Sequence, residues 1–314
     1  MKVTVVGAGV IGLTTAYALE RAGYRVKVIT ERKGTAITSM VAGAVWYPYG
    51  VIHPDLPYWA EISRRWLRKH ARKQRAGVEL ITVHEAADGA KLPDPALTRL
   101  KKFERGTRGS PPAWSDGWRF RAPRIDPAEH LAWLEGRLVG EIRDQVRITD
   151  LREIDGDVVV NCTGLGSREL LGDDRFEPRL GQLVLTEGGT LDRGRVLVDE
   201  RDPDDFLYVI PRSHGFAVGG TYVLCHDRCV PEPDLRVREA ILARVRRLGL
   251  DPGEVRQDLT GLRPVRNPAR LGRDPDDPRI IHNYGHGGAG FTVAWGCAQV
   301  VVNRVHEIAY ARSV

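Results

Sequence analysis

Residues 1–31 read MKVTVVGAGVIGLTTAYALERAGYRVKVITE, and this stretch decides the fold. Val3 to Val6 form a short apolar run of the kind that a parallel sheet buries on both faces. Gly7, Gly9 and Gly12 follow at the spacing G-x-G-x-x-G. Ile11 to Ala22 carry helical periodicity, Gly23 stops the helix, and Arg25 to Thr30 make a second apolar strand ending at Glu31. The order predicts a βαβ dinucleotide-binding unit. Gly7 permits the tight turn, Gly9 lets the backbone approach a pyrophosphate, and Gly12 lets the helix pack close to the strand. Ala8, Val10 and Ile11 complete the turn, where the helix N-terminus offers free N–H groups and a partial positive charge. Glu31 lies nineteen residues past Gly12, where an acid accepts a hydrogen bond from a ribose hydroxyl. The fingerprint leaves FAD and NAD both open.

The rest of the chain bounds the answer. Its 314 residues, 42% hydrophobic, suffice for one large core or two modest ones. No window approaches the roughly 18 continuous apolar residues of a membrane helix. The first strand begins by residue 3, which leaves no room for a signal peptide, and the final Ala-Arg-Ser-Val is not a peroxisomal address. The expectation is a cytoplasmic protein with no membrane partner. A net charge of +6 raises nucleic acid as a partner, but the basic residues are scattered. The densest run, Arg64 to Lys73, lies on a predicted helix whose apolar face is Trp59, Ile62, Trp66 and Leu67, so the bases form its wet face. No nucleic acid is expected. Eight lysines against thirty-nine arginines fit high coding GC. Cys162 and Cys297 sit in apolar runs and read as core residues. Cys225 and Cys229 flank His226 and Asp227; unpaired thiols are the default, a local disulfide is the alternative, and a metal site lacks a second ligand pair.

Residues 85–125 are polar and rich in Pro and Gly, and read as loops with short strands. Asp126-Pro127-Ala128-Glu129 starts a helix, with Asp as N-cap and Pro at N1. Val158 to Asn161 is a buried parallel strand leading into Thr163-Gly164. Residues 180–225 change to an antiparallel pattern, with strands at Gln182 to Thr186, Val196 to Val198, Tyr208 to Ile210 and Ala217-Val218. Leu235 to Leu250 is an amphipathic helix, and residues 267–278 read as a surface loop. Arg279 to Asn283 is a last strand, followed by a second glycine-rich turn at 285–290 and a closing helix, Phe291 to Ile308. The expected fold is α/β: a doubly wound, Rossmann-like nucleotide domain from 1–50, 135–180 and 255–314, with an antiparallel-sheet substrate domain from 51–134 and 181–254.

These segments resemble the D-amino-acid oxidase family of FAD enzymes over nearly the whole chain. The resemblance rests on Val5 to Leu13, Val41 to Tyr49, Val160 to Gly164, Arg179 to Gln182, Tyr208 to Pro211 and Gly219 to Tyr222. Its most specific part is Gly261 to Arg266 followed by His282 to Gly288. It implies non-covalent FAD and oxidation of a D-amino acid to the imino acid by hydride transfer from Cα. O2 as acceptor gives hydrogen peroxide, and the imino acid hydrolyses to a 2-oxo acid and ammonia. D-Aspartate, glycine or sarcosine oxidation, or a flavin dehydrogenase using another acceptor, are same-fold alternatives. The chain is a monomer or a homodimer on this reading.

The resemblance also assigns residues. Arg263 is the carboxylate-binding arginine, suited by its planar fork. Arg266 fits a structural ion pair better. Tyr208 adds a hydrogen bond to the carboxylate, and Tyr222 is a second active-site tyrosine. Gly288 lies at the substrate, and Arg263 also borders the cofactor. For FAD the implied set is the first glycine turn with Glu31 and Arg32. Thr38, Ser39, Ala42, Gly43, Val45 and Trp46 run past the flavin, and Gly164 lies near the adenine. Gly287, Gly288, Gly290, Phe291 and Thr292 line the second turn, where backbone N–H groups rather than the His286 ring face the flavin. Two departures matter. Asp204 stands where some members carry a lid tyrosine, so the lid is shorter or absent. D-Aspartate oxidases carry an arginine where this chain has Tyr222, so neutral D-amino acids are the expected substrates. No metal is expected.

Overall fold

A computed structural model describes residues 1–312 except 49, 74–75, 90–94, 101, 203 and 226–228. Tyr49, Pro203, His226 and Asp227 therefore lie outside the described residues. The chain opens with β1 (Lys2–Val6), α1 (Val10–Arg21) and β2 (Arg25–Ile29), as the glycine spacing predicts. A 3-10 turn at Gly34–Ala36 and the short α2 (Thr38–Val41) lead to α3 (Leu56–Ala71) and β3 (Val78–Ala86). Then come α4 (Pro95–Thr98), β4 (Glu104–Arg105), β5 (Gly117–Ile125), α5 (Pro127–Glu135), β6 (Ile142–Arg143) and β7 (Val158–Asn161). After α6 (Gly166–Leu171) follow β8 (Arg179–Glu187), β9 (Arg195–Asp199), β10 (Leu207–Pro211), β11 (Phe216–Gly219) and β12 (Val223–Leu224). The chain ends with α7 (Leu235–Arg247), β13 (Glu254–Arg263), β14 (Val265–Arg273), β15 (Ile280–His286) and α8 (Gly290–Ala311).

Two sheets organise these elements. The first has the order β14-β15-β7-β1-β2-β6, parallel except for the β14–β15 pair. Val3, Val5, Val158, Val159, Val160 and Ile281 are at most 1% exposed, so this sheet is covered on both faces. The second has the order β12-β8-β11-β10-β9-β3-β5-β4, with β13 also on β8. It is antiparallel apart from the β3–β9 pair. α8 joins the layers: Gly296 lies against the Trp59 backbone of α3, and its N–H donates to Ser63 Oγ at 2.8 Å. Arg64 and Arg65 of α3 both pair with Glu61. Arg65 is 75% exposed, as the sequence predicts, but Arg64 is only 12% exposed, its Cζ 6.0 Å from the Trp46 ring centroid, so not every base lies on the wet face.

The structure corrects the sequence reading in four places. Residues 85–125 contain the end of β3 and all of β5, strands of nine residues each. Trp118, Phe120 and Ala122 alternate with Arg119 and Arg121 in β5, a strand pattern that the polar, Pro- and Gly-rich surroundings mask, and both arginines reach backbone carbonyls, of Arg108 and Leu80. The stretch read as a loop at 267–278 begins within β14. Pro268 donates no N–H, which is tolerated because β14 is an edge strand whose register shifts between Val265 and Arg270. β13, placed with the nucleotide domain from sequence, pairs along its length with β8 of the second sheet. Cys225 and Cys229 are joined as a disulfide, Cα atoms 5.8 Å apart, in place of the unpaired thiols that the sequence favours. Cys162 and Cys297 are buried free thiols, and burial pushes the Cys162 pKa up to about 12. Among the described residues no helix is long and apolar enough to cross a membrane.

Asp126 caps α5, accepting from the N–H groups of Ala128 and Glu129. His130 in that helix is 2% exposed, hydrogen-bonded through Nδ1 to the Ala76 carbonyl at 2.8 Å, and burial lowers its pKa to about 4. From about pH 6.5 down to about 4 the unfolded chain binds a proton here that the folded chain refuses, so stability falls with pH by up to about 1.4 kcal/mol per unit. Replacing His130 by Asn is expected to narrow the difference in melting temperature between about pH 7 and about pH 5. An unchanged difference would contradict this.

Candidate active site

The first glycine turn has the shape of a phosphate cradle. Gly7 has φ +108°, and a Cβ there would meet the Cys162 carbonyl carbon at 2.8 Å. A Cβ on Gly12 would lie 2.9 Å from the Gly7 carbonyl carbon, which fixes the close approach of α1 to β1. At Gly9 a Cβ would find only Ser39 Oγ, at 3.3 Å, so space is open above the turn. α1 has no acidic residue in its first turn and no side-chain cap from Gly9; Ser39 Oγ accepts the Val10 N–H at 3.0 Å. Ala8 and Val10 are buried, whereas Gly9 and Ile11 are half-buried at the opening. Glu31 and Arg32 are exposed past the end of β2. An open cradle, helix N–H groups and an acid at the strand end fit a dinucleotide such as FAD.

The strap from Thr38 to Trp46 is pinned at many points. Arg212, 9% exposed, donates to the Ala42 carbonyl at 2.5 Å. Ile125 N–H donates to Ala44 O at 2.8 Å, and Trp46 N–H to Pro123 O at 2.8 Å. Val45 bridges to Arg124. Ala44 holds φ +61°, a left-handed conformation costly for a residue with a Cβ. Trp46 departs from its expected place at the cofactor: its indole is 1% exposed and donates to Ala60 O at 2.9 Å, so the side chain is core. Thr38 is exposed at the start of α2.

The second glycine turn closes on the first. A Cβ on Gly290 would touch Val10 Cγ1 at 3.3 Å. Gly287 has φ +49° and lies against the Gly50 carbonyl, with Gly288 exposed beside it. Phe291 is 7% exposed, and Thr292 Oγ1 donates to Tyr47 O at 2.9 Å, tying α8 to the strap. Gly164, φ +58°, turns the chain after β7 near Pro264. Burial lowers the His286 pKa to about 3, so this ring stays neutral and cannot serve as the acid of a reaction at neutral pH.

Strand register builds the substrate face. Tyr208 is opposite Gly219, Gly219 opposite Leu183, Gly181 opposite Gly261, and Arg179 opposite Arg263. Directly opposed residues point the same way, and side chains alternate along each strand, so these groups share one face of the second sheet. Glycines clear its floor. A Cβ on Gly219 would overlap the Tyr208 hydroxyl and ring, and one on Gly181 would overlap the Arg263 guanidinium. Gly43 of the strap lies over Tyr208, where a Cβ would meet Cε2 at 3.0 Å, and a Cβ on Gly261 would meet Val41 Cβ at 3.4 Å. Arg263 donates to Thr221 O at 2.9 Å and has its Cζ 5.3 Å from the Tyr222 ring centroid. A Cβ on Gly50 would lie 3.3 Å from the Tyr222 hydroxyl, so this face adjoins the turn at Gly287. Burial raises both tyrosine pKa values above 10 while Arg263 opposes the shift, so both hydroxyls are protonated donors at neutral pH.

Sequence reasoning misses Arg212 and the glycines at 181 and 219 as site residues. The alternation Tyr208, Ile210, Arg212 carries the signal for the first. The other two stand inside recognisable motifs whose spacing gives no reason for them. Replacing Gly219 by Ala should displace the Tyr208 ring and lower kcat/KM about tenfold or more, because angstrom-scale misplacement is that costly. The far-UV spectrum should not change, and unaltered kinetics would remove Tyr208 from the site. The β9–β10 connection, where a lid would rise, is held down by α7. Arg244 pairs with Asp205 at 2.6 Å and donates to Phe206 O and Gly220 O.

A family model described as FAD dependent oxidoreductase matches residues 2–304. A D-amino-acid oxidase of Streptomyces coelicolor is 40% identical, over 95% of this chain and 94% of that protein. One from Rubrobacter xylanophilus is 35% identical over 95% and 94%. Among solved structures, glycine oxidase from Bacillus cereus superposes with a TM-score of 0.78 at 17% identity, covering 98% of this chain and 95% of that one, a likeness of fold. The chain belongs to the D-amino-acid oxidase family of FAD-dependent oxidoreductases.

Proposed function

We propose that the protein oxidises D-amino acids to imino acids, which hydrolyse to 2-oxo acids and ammonia, with O2 as the electron acceptor. The observation that carries this reading is the sheet face on which Arg263, Tyr208 and Tyr222 converge under the strap, beside the two glycine turns. FAD, when bound in the glycine cradle, would supply the hydride acceptor and the two-electron link to O2 that gives hydrogen peroxide. The protein's own work is orientation. Arg263 presents two N–H groups to the α-carboxylate, and its charge is offset there by the substrate. The Tyr208 and Tyr222 hydroxyls, protonated at neutral pH, donate to the carboxylate end. This fixes Cα against the strap, and near-attack placement of this kind supplies a large part of a rate enhancement. Arg212 keeps the Ala42 carbonyl and the strap in place. Among the described residues no side chain is needed as a general base, in keeping with hydride transfer.

Neutral side chains are accepted in this reading because residue 222 is a tyrosine. The test is an aerobic assay of the FAD-loaded protein with D-alanine and L-alanine, following peroxide and pyruvate. Both products from the D-isomer alone are expected. Pyruvate with an artificial acceptor but no peroxide would move the reading to a dehydrogenase.

A further inference from the structure

Arg179 takes no part in holding the α-carboxylate, yet it borders the same site. It opens β8 and stands directly across from Arg263 in the β8–β13 register. Opposed side chains lie about 5 Å apart at Cβ, and like charges so placed repel. The two guanidinium groups also share one ring: Arg179 Cζ is 5.5 Å and Arg263 Cζ 5.3 Å from the Tyr222 centroid. Arg179 Nη2 donates to Glu177 Oε2 at 3.0 Å, but Glu177 is 54% exposed and is displaced at little cost. Arg179 Nε is buried with no hydrogen-bond partner among the described residues. A guanidinium facing a like charge, with a buried N–H left over, gains from an anion.

Read by its own side chain, residue 222 offers no base to an acidic substrate; the neighbouring strand places one against its ring. We infer that Arg179 is a specificity-determining residue that binds the side-chain carboxylate of dicarboxylic D-amino acids, making D-aspartate or D-glutamate substrates beside the neutral ones. This rests on the reading that Arg263 holds the α-carboxylate. Sharing one ring, the two guanidinium carbons are no more than about 11 Å apart. The carboxyl carbons of glutamate reach about 5 Å apart, and a paired guanidinium carbon stands about 4 Å from its carboxyl carbon, so one molecule spans the two arginines.

The test compares D-alanine, D-aspartate and D-glutamate as substrates of the FAD-loaded enzyme. Titration with glutarate and with butyrate, read from the flavin absorbance, gives binding without turnover. The wild type should oxidise at least one acidic D-amino acid and bind glutarate more tightly than butyrate. Arg179→Met should lower the acidic-to-D-alanine ratio of kcat/KM at least tenfold, through KM, and remove the glutarate preference; Arg179→Lys should restore part of both. The same ratio in wild type and Arg179→Met, or no glutarate preference in the wild type, overturns the assignment. D-Alanine still oxidised in that event leaves the proposed function standing. Were no substrate oxidised, that function would fall, and the titration would still decide the role of Arg179.

Discussion

Replacing Arg263 by alanine should lower kcat/KM for D-alanine by at least about a hundredfold, equivalent to ~3 kcal/mol of lost transition-state stabilisation. The substrate carboxylate would remain in a partly buried site whose remaining cations are committed elsewhere. Arg212 donates to the Ala42 carbonyl beneath the strap, and Arg179 stands against the Tyr222 ring, across the register from the position that Arg263 holds, so neither replaces its fork at the α-carboxylate. Arg263→Lys should recover little, because an ammonium cannot present two parallel N–H donors. Steady-state kinetics on variants with wild-type circular dichroism measure this. A change of less than about threefold in Arg263→Ala would remove the residue from substrate binding.

The largest stability effect should come from a different arginine of the same motif. Arg266 Nε contacts Asp173 Oδ2 at 2.6 Å, with side chains 2% and 4% exposed, and Tyr284 donates to the same oxygen at 2.7 Å. Removing one member of a buried pair strands the other charge, at a cost of about 3–5 kcal/mol. Arg266→Met should therefore lower the unfolding free energy measured in urea by that amount at neutral pH, and pairing it with Asp173→Asn should restore part of the loss. Burial works to raise the Asp173 pKa, but hydrogen bonds from Tyr284 and Arg266 outweigh it and hold the value below the usual carboxylate range. The pair's contribution is thus complete at neutral pH and is lost as pH falls below about 4, through the folded-state pKa. A loss under about 1 kcal/mol in Arg266→Met would show that the pair is not needed.

Local signals in the chain carry much of the architecture. The βαβ unit reads cleanly because glycine spacing, helix periodicity and strand hydrophobicity all agree over residues 1–31. Val158–Asn161 and the Asp126 cap are equally local signals, and both appear as read. What the sequence hides is set by partners distant in the chain. β5 alternates Trp118, Phe120 and Ala122 with arginines, but the alternation is short and lies among Pro- and Gly-rich segments, and the full nine residues are set by pairing with β3. β14 contains a proline that only its edge position excuses. Gly181 and Gly219 are silent residues until register shows which side chain each must clear. Trp46 sits in a cofactor-like motif, yet its ring faces the core, since a motif fixes the path of the backbone and not the direction of each side chain. The sequence separates Arg266 from Arg263 as an ion-pair residue, but no spacing announces its partner, Asp173.

Hydride transfer from a D-amino acid to the flavin is tested most directly by the visible spectrum of the FAD-loaded protein. It is recorded without oxygen before and after adding D-alanine, with L-alanine as control. A yellow flavin spectrum that D-alanine bleaches and L-alanine leaves unchanged is expected. A flavin band that neither isomer bleaches, or that L-alanine bleaches equally well, would contradict the assignment.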